Sequence, residues 1–292
     1  MKFGPIRKVC MKVVYEKYDS IKDFVDIISK RGVNTVFRGK SLASDDRDYK
    51  FSKTHSLSEA LNLLKDGYKE PLGKIKESLK ATNINKTFQD IPKVRPTNNV
   101  IGFVPHVPNS ILGLPQSMIN VQKTPNKVRV VSIKYDMSIR AGCPADDIEK
   151  SGIVLLKIVN TLELRGYRVA LDVIPFNGIK NNELATVCVK VKDYKQPLDI
   201  LKLCFPLAHP AFFRRIGFKW LETVPTLTES GFTWGYGRAV ANDSYEEALK
   251  LYSDSIKDFN KNSYYFNIHL AQRMGFDAEK IMEKTDLIKL ME

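Results

Sequence analysis

The sequence contains few of the side chains that hold metal ions or form disulfides. Its 292 residues include four cysteines and four histidines, with no CxxC pair and no HExxH motif. Zinc sites and redox pairs need closely spaced ligands. We therefore expect no metal and no other cofactor. The cysteines are expected to be buried free thiols; they are Cys10, Cys143, Cys188 and Cys204.

Long apolar runs are also missing. No stretch reaches the roughly 18 residues that a membrane helix needs, and the N-terminal segment lacks the apolar centre of a signal peptide. We therefore expect a cytoplasmic protein with no membrane partner. Hydrophobic residues make up 43% of the chain, which is enough to bury one large core or two modest ones.

The motifs of the common catalytic classes are absent as well. The sequence has no GxGxxG or GxxxxGK[ST] phosphate loop and no GxSxG nucleophile turn. Its paired carboxylates, Asp45–Asp46 and Asp146–Asp147, fall in a predicted loop and at a predicted helix start. Solvation and the helix dipole explain such pairs better than acid–base chemistry. We predict no catalytic residue.

Positive charge, in contrast, is abundant, with a formal net charge of +13. Two stretches, residues 91–135 and 200–221, contain basic residues and no acidic ones. Such stretches favour a polyanionic partner such as DNA or RNA; the alternative is a lysine-rich but simply solvated surface. The candidate contacts to nucleic acid or another partner are Lys123, Lys127, Arg129, Arg214, Arg215 and Lys219.

The chain divides into three parts by pattern. Residues 1–90 are predicted to form a helical N-terminal region, with Ser20 and Ser56 as N-caps. Residues 91–128 are rich in proline, which prevents long regular elements, yet they are too apolar for a free linker. We expect an ordered arm packed over the core. Residues 129–292 are predicted to form an α/β core domain with C-terminal helices.

The core begins with a strand, KVRVVSIKYDMS, and a helix that starts at PADD and stops at Gly166. The strands YRVALDVIPF and ELATVCVKVKDY follow. Because a helix joins the first two strands, we expect them to be parallel neighbours. The few residues between the second and third strands favour an antiparallel hairpin.

The order of these elements resembles the opening of a von Willebrand factor A-type domain: a strand, Asp-x-Ser, a long helix and two further strands. That family binds Mg²⁺ through Asp-x-Ser-x-Ser plus a Thr and an Asp from later loops. Asp136 and Ser138 match the first two ligands, whereas Arg140 stands at the third, and KDYKQP and TWGYGR supply no match for the later ones. The resemblance implies a Rossmannoid three-layer core with a degenerate metal site. The interpretation of Asp136 that we favour over a Mg²⁺ ligand is a structural one, in which it caps the turn or pairs with Arg140.

The stretch PLAHPAFFRRIGFKWLE, residues 206–222, is basic and otherwise apolar. His209 is predicted to be a structural cap before Pro210. Phe213, Ile216 and Trp220 recur at helical spacing and should be buried, with Arg215, Lys219 and Glu222 on another face. Arg214 and Arg215 then form either a solvated face or a phosphate-contacting one.

Several segments between residues 36 and 222 resemble, in order, a family of uncharacterised proteins of tailed bacteriophages and related mobile elements. The segments are FSKTHSLSEALNLLKDG, IGFVPHVPNSILGLPQSMIN, RGYRVALDVI and FPLAHPAFFRRIGFKWLE. The resemblance implies a phage-encoded protein in the host cytoplasm or the virion, and no established reaction. We expect a non-enzymatic platform that binds a phage or host protein. The alternatives are a nucleic-acid-binding protein and a divergent enzyme whose site forms across an oligomer interface.

Overall fold

The computed structural model describes most of the chain. The described residues are 12–34, 37, 41–45, 48–80, 94–123, 129–140, 142–227, 236–240, 244–255, 259–260 and 262–290. Within them lie a central mixed sheet, surrounding helices and a second, smaller sheet. This architecture is mixed α/β and is compatible with a three-layer fold.

The central sheet has six strands and contains both parallel and antiparallel pairs. Its order is β1 (Lys12–Tyr18), β7 (Glu183–Lys192), β6 (Tyr167–Lys180), β5 (Arg129–Asp136) and β9 (Ser263–Asn267), with β8 (Arg238–Ala239) beside the end of β6. Strands β6, β5 and β9 are parallel to one another. Strand β7 is antiparallel to β6, and β1 is parallel to β7.

The unit from β5 to β7 has the predicted connectivity. Helix α6 (Asp146–Leu164) joins the parallel strands β5 and β6, and Gly166 follows it with a φ of 84°. Strands β6 and β7 form an antiparallel hairpin through Asn181 and Asn182, whose φ angles are 45° and 63°. Asparagine tolerates this left-handed region and suits a two-residue hairpin turn. Both predictions are confirmed.

Helices cover the sheet, and α6 packs against four of them, α4, α7, α10 and α11. The other helices are α1 (Ile21–Lys30), α2 (Tyr49–Ser52), α3 (Leu57–Asp66), α4 (Leu72–Lys80), α5 (Val107–Ile111), α7 (Ile200–Ala208), α8 (Phe218–Thr223), α9 (Tyr245–Ser255), α10 (Ile268–Arg273) and α11 (Ala278–Lys284). A π-helical turn, Phe212–Gly217, leads into α8. No helix among the described residues is long and apolar enough to cross a membrane.

The N-terminal region shares the core of the rest of the chain. Strand β1 alternates so that Val14 and Tyr18 are buried, and Phe24 and Ile28 of α1 join the same hydrophobic core. The side-chain oxygens of Ser20 and Ser56 accept hydrogen bonds from the predicted helix starts. The helices of this region are confirmed, whereas β1 adds a sheet strand that the helical prediction missed.

The proline-rich arm folds into a sheet of its own. Its strands pair in the order β2 (Val94–Asn99), β4 (Met118–Lys123) and β3 (Val104–Pro105). Helix α5 connects β3 to β4 along the chain. Gly102 allows the chain to cross β4 closely, because a Cβ there would lie 2.2 Å from the carbonyl oxygen of Ile119. Residues 94–123 form this sheet and α5, and the rest of the arm lies outside the described residues. The expected packing over the core is wrong, since none of its described residues belongs to the hydrophobic core.

Candidate functional site

Asp136 ends the central strand β5, and its side chain is fully buried. Its Oδ1 accepts a hydrogen bond from the backbone N–H of Ser138 at 2.8 Å. Its Oδ2 accepts one from Asn177 Nδ2 at 2.7 Å and one from the Tyr265 hydroxyl at 2.6 Å. Asp136 therefore caps the turn after β5 and ties that strand to β6 and β9.

Two hydroxyl groups extend this arrangement. The backbone N–H of Asn177 donates to Ser138 Oγ at 2.7 Å, and Thr186 Oγ1 donates to Asn177 Oδ1 at 2.6 Å. Thr186 faces Asn177 across the β6–β7 hairpin. We call Asp136, Ser138, Asn177, Thr186 and Tyr265 the polar cluster. It connects four neighbouring strands of the central sheet.

The polar cluster is closed to solvent, since all five side chains are buried. Burial raises the pKa of Asp136, although the hydrogen bonds from Tyr265, Asn177 and Ser138 act in the opposite direction. Burial, together with the neighbouring carboxylate, also raises the pKa of the Tyr265 hydroxyl. Each carboxylate oxygen already has a protein donor. The arrangement joins strands and presents no exposed reacting group.

Arg140 lies outside the polar cluster. Its side chain is exposed, and its Nε donates to Cys143 Sγ at 3.3 Å. The expected placement of Arg140 at a third ligand position, or in an ion pair with Asp136, is therefore wrong, because the turn after Ser138 directs it outward. In the part of the chain that the structure describes, no group of three His, Cys, Asp or Glu residues could hold a metal ion.

A buried ion pair lies beside the polar cluster on the same face of the sheet. Lys134 precedes Asp136 by two residues on β5 and pairs with Asp172 directly opposite on β6. Both side chains are buried. Lys134 belongs to the acid-free stretch 91–135, so one of the basic residues of that stretch is internal and cannot contact a polyanion.

His209 lies between α7 and the π-helical turn and is buried. Its Nδ1 accepts a hydrogen bond from the backbone N–H of Ala211 at 3.1 Å, and its ring contacts the rings of Tyr68 and Phe205. Burial lowers the pKa of His209 to about 4, and the charge of Lys53 acts in the same direction. A neutral imidazole that accepts from the backbone is a structural cap rather than a base.

Arg215 is fully buried, with 0% of its surface exposed. Its guanidinium donates to the carbonyl oxygens of Asp45 at 2.7 Å and Thr54 at 2.6 Å. Longer hydrogen bonds reach the carbonyl oxygens of Leu42 and Ala43. The expectation that Arg215 lines a solvated or phosphate-contacting face is therefore wrong. Arg215 holds residues 42–45 and Thr54 against the π-helical turn.

Arg214 is already engaged by the protein, whereas Lys219 is partly exposed. The Arg214 guanidinium pairs with the Asp48 carboxylate and lies 4.7 Å from the Phe218 ring centroid. Its side chain is 28% exposed. Of the two arginines in this stretch, neither presents a free guanidinium to a phosphate.

Glu222 was expected on a polar face of the same helix, and this is also wrong, because it is fully buried. Its carboxylate accepts hydrogen bonds from Ser41 Oγ at 2.6 Å and from the backbone N–H of Ala43 at 3.0 Å. The Tyr236 hydroxyl donates to it as well. Glu222 and Arg215 thus anchor one loop from two sides. The buried stripe of Phe213, Ile216 and Trp220 is confirmed.

The remaining basic candidates lie between positions 123 and 129 of the sequence. Lys123 ends β4 opposite Val94, and Lys127 lies outside the described residues. Arg129 begins β5 and is exposed, with its guanidinium carbon 5.7 Å from the Tyr167 ring centroid. These residues remain candidate contacts, and they cluster in sequence at the base of the arm.

The arm itself exposes apolar side chains that sequence reasoning placed in a packed interface. We call residues 100–114 the arm tip. Ile101 is 78% exposed, Ile111 79% and Leu112 71%. The exposed large apolar residues of the arm tip are Val100, Ile101, Phe103, Val104, Val107, Ile111, Leu112 and Leu114.

An open groove of about 860 Å³ lies between α1, α3 and the end of β7. Apolar side chains of α1 and α3, such as Val25 and Leu64, line it. Lysines and aspartates alternate around its rim, including Lys22, Lys65 and Asp26. The mixed signs give this groove no clear preference for a charged ligand.

Comparison with known proteins gives one match. The profile of a family described as a domain of unknown function (DUF7192) matches residues 5–288. No curated protein and no solved structure matches the chain.

Proposed function

The chain belongs to the DUF7192 family, and we propose that it is a non-enzymatic binding protein, encoded by a tailed bacteriophage or a related mobile element. It presents a surface to a phage or host protein in the host cytoplasm or in the virion. The observation that carries this proposal is the arm tip, with eight exposed large apolar residues. Soluble proteins rarely expose so much apolar surface in one place unless a partner covers it.

The polar cluster supports a binding role over a catalytic one. An acid, base or nucleophile must reach its substrate, whereas Asp136 is fully buried and both of its oxygens accept hydrogen bonds from the protein. His209 likewise uses Nδ1 to accept from the backbone. These groups form hydrogen bonds within the protein and are not presented to a substrate.

We also propose that the core derives from a von Willebrand factor A-type domain whose cation site has been replaced by hydrogen bonds. In support, β5, α6, β6 and the antiparallel β7 follow one another as in the resemblance. Asp136 and Ser138 occupy the turn where the first two ligands would lie. Asn177 and Tyr265 donate hydrogen bonds to Asp136 Oδ2, an oxygen that would otherwise be available to a cation.

The test is affinity capture from infected cells with three forms of the protein. The tip variant carries Ile101→Ser, Ile111→Ser and Leu112→Ser. The control variant carries Val33→Ser and Leu201→Ser, which replace apolar residues that are 40% and 38% exposed outside the arm. We expect wild type and control to retain the same partner protein and the tip variant to lose it, with and without nuclease. Equal capture by all three forms contradicts the proposal.

Nucleic-acid binding is the second candidate, and the acid-free stretch 91–135 favours it. Gel shifts with a DNA duplex at low and high salt test it, because phosphate-driven binding weakens steeply as salt rises. Under this alternative, Lys123→Ala with Arg129→Ala should weaken binding. Arg215→Ala is uninformative here, because Arg215 is buried and holds residues 42–45 and Thr54.

A further inference from the structure

We infer that the arm is an interaction element for an acidic protein segment, with the arm tip binding apolar side chains and the base of the arm binding carboxylates. This inference rests on the proposed function and names the chemistry of its partner. Four properties of the arm favour this occupant over nucleic acid, a lipid surface or a second copy of the chain.

The first property is the distribution of charge along the arm. Residues 96–122 contain no Lys, Arg, Asp or Glu. The basic residues stand on either side of this uncharged segment, and the antiparallel pairing of β2 with β4 brings Arg95 and Lys123 to the same end of the small sheet. An apolar centre with a charged border is the usual composition of a protein interface.

The second property concerns phosphate contacts. A nucleic-acid-binding ribbon places cations along the element that follows the backbone. Here the exposed part of the arm, residues 100–114, carries no Lys or Arg, and its exposed side chains are mainly aliphatic. Phe103 and His106 are the only residues in that segment with aromatic rings. The arm tip therefore has no cations and few of the stacking platforms on which nucleic-acid binding relies.

The third property concerns the edge of the small sheet. In the order β2-β4-β3, β2 and β3 are the outer strands, and outer strands present backbone groups that water or an added strand can satisfy. A hydrocarbon environment cannot supply hydrogen-bond partners, whereas a protein segment can, by adding a strand beside β2. Pro96 within β2 has no backbone N–H to donate, so an added strand could form hydrogen bonds with only part of β2.

The fourth property is the sign of the charge. The protein carries a net charge of +13, and residues 91–135 contain no acid. Two copies meeting through their arms would bring like charges together, which disfavours association. A partner with carboxylates around an apolar patch has the complementary pattern.

The test uses a displayed library of short random peptides, selected on immobilised wild-type protein with the tip variant as soluble competitor. The competitor removes peptides that bind elsewhere on the protein. We expect the retained peptides to combine apolar residues with Asp or Glu. Their Kd, measured by fluorescence anisotropy, should rise by about tenfold or more for the tip variant, and salt should weaken binding.

A charge-reversed variant, Lys123→Glu with Arg129→Glu, tests the base of the arm, where Arg129 is exposed. It should weaken peptide binding, while a matched control, Lys22→Glu with Lys65→Glu at the groove rim, should leave it unchanged. Circular dichroism and the urea midpoint of each variant verify folding. The inference is overturned by peptides without an excess of acidic residues, by no tip-dependent peptide at all, or by equal effects of the two charge-reversed variants.

The other occupants are measured with the same variants. Tip-dependent binding to a DNA duplex or to phosphatidylglycerol vesicles, or tip-dependent dimerisation in sedimentation, would overturn the inference. Its failure is distinguishable from failure of the proposed function. If the tip variant loses a cellular partner while the selected peptides lack acidic residues, the binding role stands and the acidic partner does not. If capture is independent of the arm tip, both fail.

Discussion

Acidification should destabilise the protein through His209. The imidazole is buried, and burial lowers its pKa from 6.5 to about 4. Below about pH 6.5 the unfolded chain binds a proton at this residue, whereas the folded chain stays neutral until about pH 4. The free energy of unfolding therefore falls as the pH drops through this window. A shift of this size corresponds to about 3 kcal/mol in full, of which about 2 kcal/mol should be lost between pH 7 and pH 5.

The assay compares wild type with His209→Asn by urea denaturation at pH 7, 6 and 5. The backbone N–H of Ala211 donates a hydrogen bond to His209 Nδ1 in the wild type, and asparagine can accept the same hydrogen bond with its Oδ1. Asparagine, however, does not titrate. The variant loses ring contacts with Tyr68 and Phe205, so it should be less stable at pH 7. Its disadvantage should shrink by about 2 kcal/mol at pH 5. A difference in stability that stays constant across the three pH values would refute the reasoning.

Four further substitutions test the packing and hydrogen bonds of the protein. Arg215→Met should lower the free energy of unfolding by about 3 kcal/mol or more, since it leaves buried carbonyl oxygens without donors. Arg214→Met removes a partly exposed ion pair and should lower that free energy by about 1 kcal/mol or less. Urea denaturation of the two variants measures the difference. Asp136→Asn should cost about 1–3 kcal/mol in the same assay, because its amide would face one of three donors, and partner capture should persist. Gly152→Ala should lower the melting temperature, since its Cβ would lie 2.4 Å from the carbonyl oxygen of Leu207; an unchanged melting temperature would show that α6 and α7 adjust freely.

Local patterns predicted the elements whose signals are local. The caps at Ser20 and Ser56 each accept the expected backbone hydrogen bond. The sequence of strand, helix and hairpin from β5 to β7 also follows from spacing and turn residues alone. Periodicity and capping depend on neighbours a few residues apart, and the sequence displays them directly.

The side chains of the polar cluster were only partly predictable. Asp136 and Ser138 were chosen from a motif, but Asn177, Thr186 and Tyr265 come from three other strands and carry no local signal. Arg215 and Glu222 were misplaced for a related reason. Charge in a sequence indicates a solvated surface unless a distant segment supplies partners, and here residues 41–54 supply them.

The prediction of an arm packed over the core is wrong because it equates hydrophobicity with burial within the same chain. The composition of residues 100–114 is that of a core, yet the short strands that proline permits leave their side chains facing outward. Hydrophobicity alone does not distinguish a surface buried in the monomer from one buried in a complex.

The pairing of β1 with β7 has a consequence for how the chain acquires its structure. Lys12 lies opposite Glu183, so about 170 residues must leave the ribosome before the first strand meets its neighbour. Contacts so distant along the chain close slowly. The segment containing β5, α6, β6 and β7 joins elements that are adjacent in sequence, so it can assemble before β1 pairs with β7. Strand β1 thus joins the sheet only after β7 has been synthesised, although it precedes β5, β6 and β7 along the chain. Until then the backbone groups on that side of β7 have no strand to pair with.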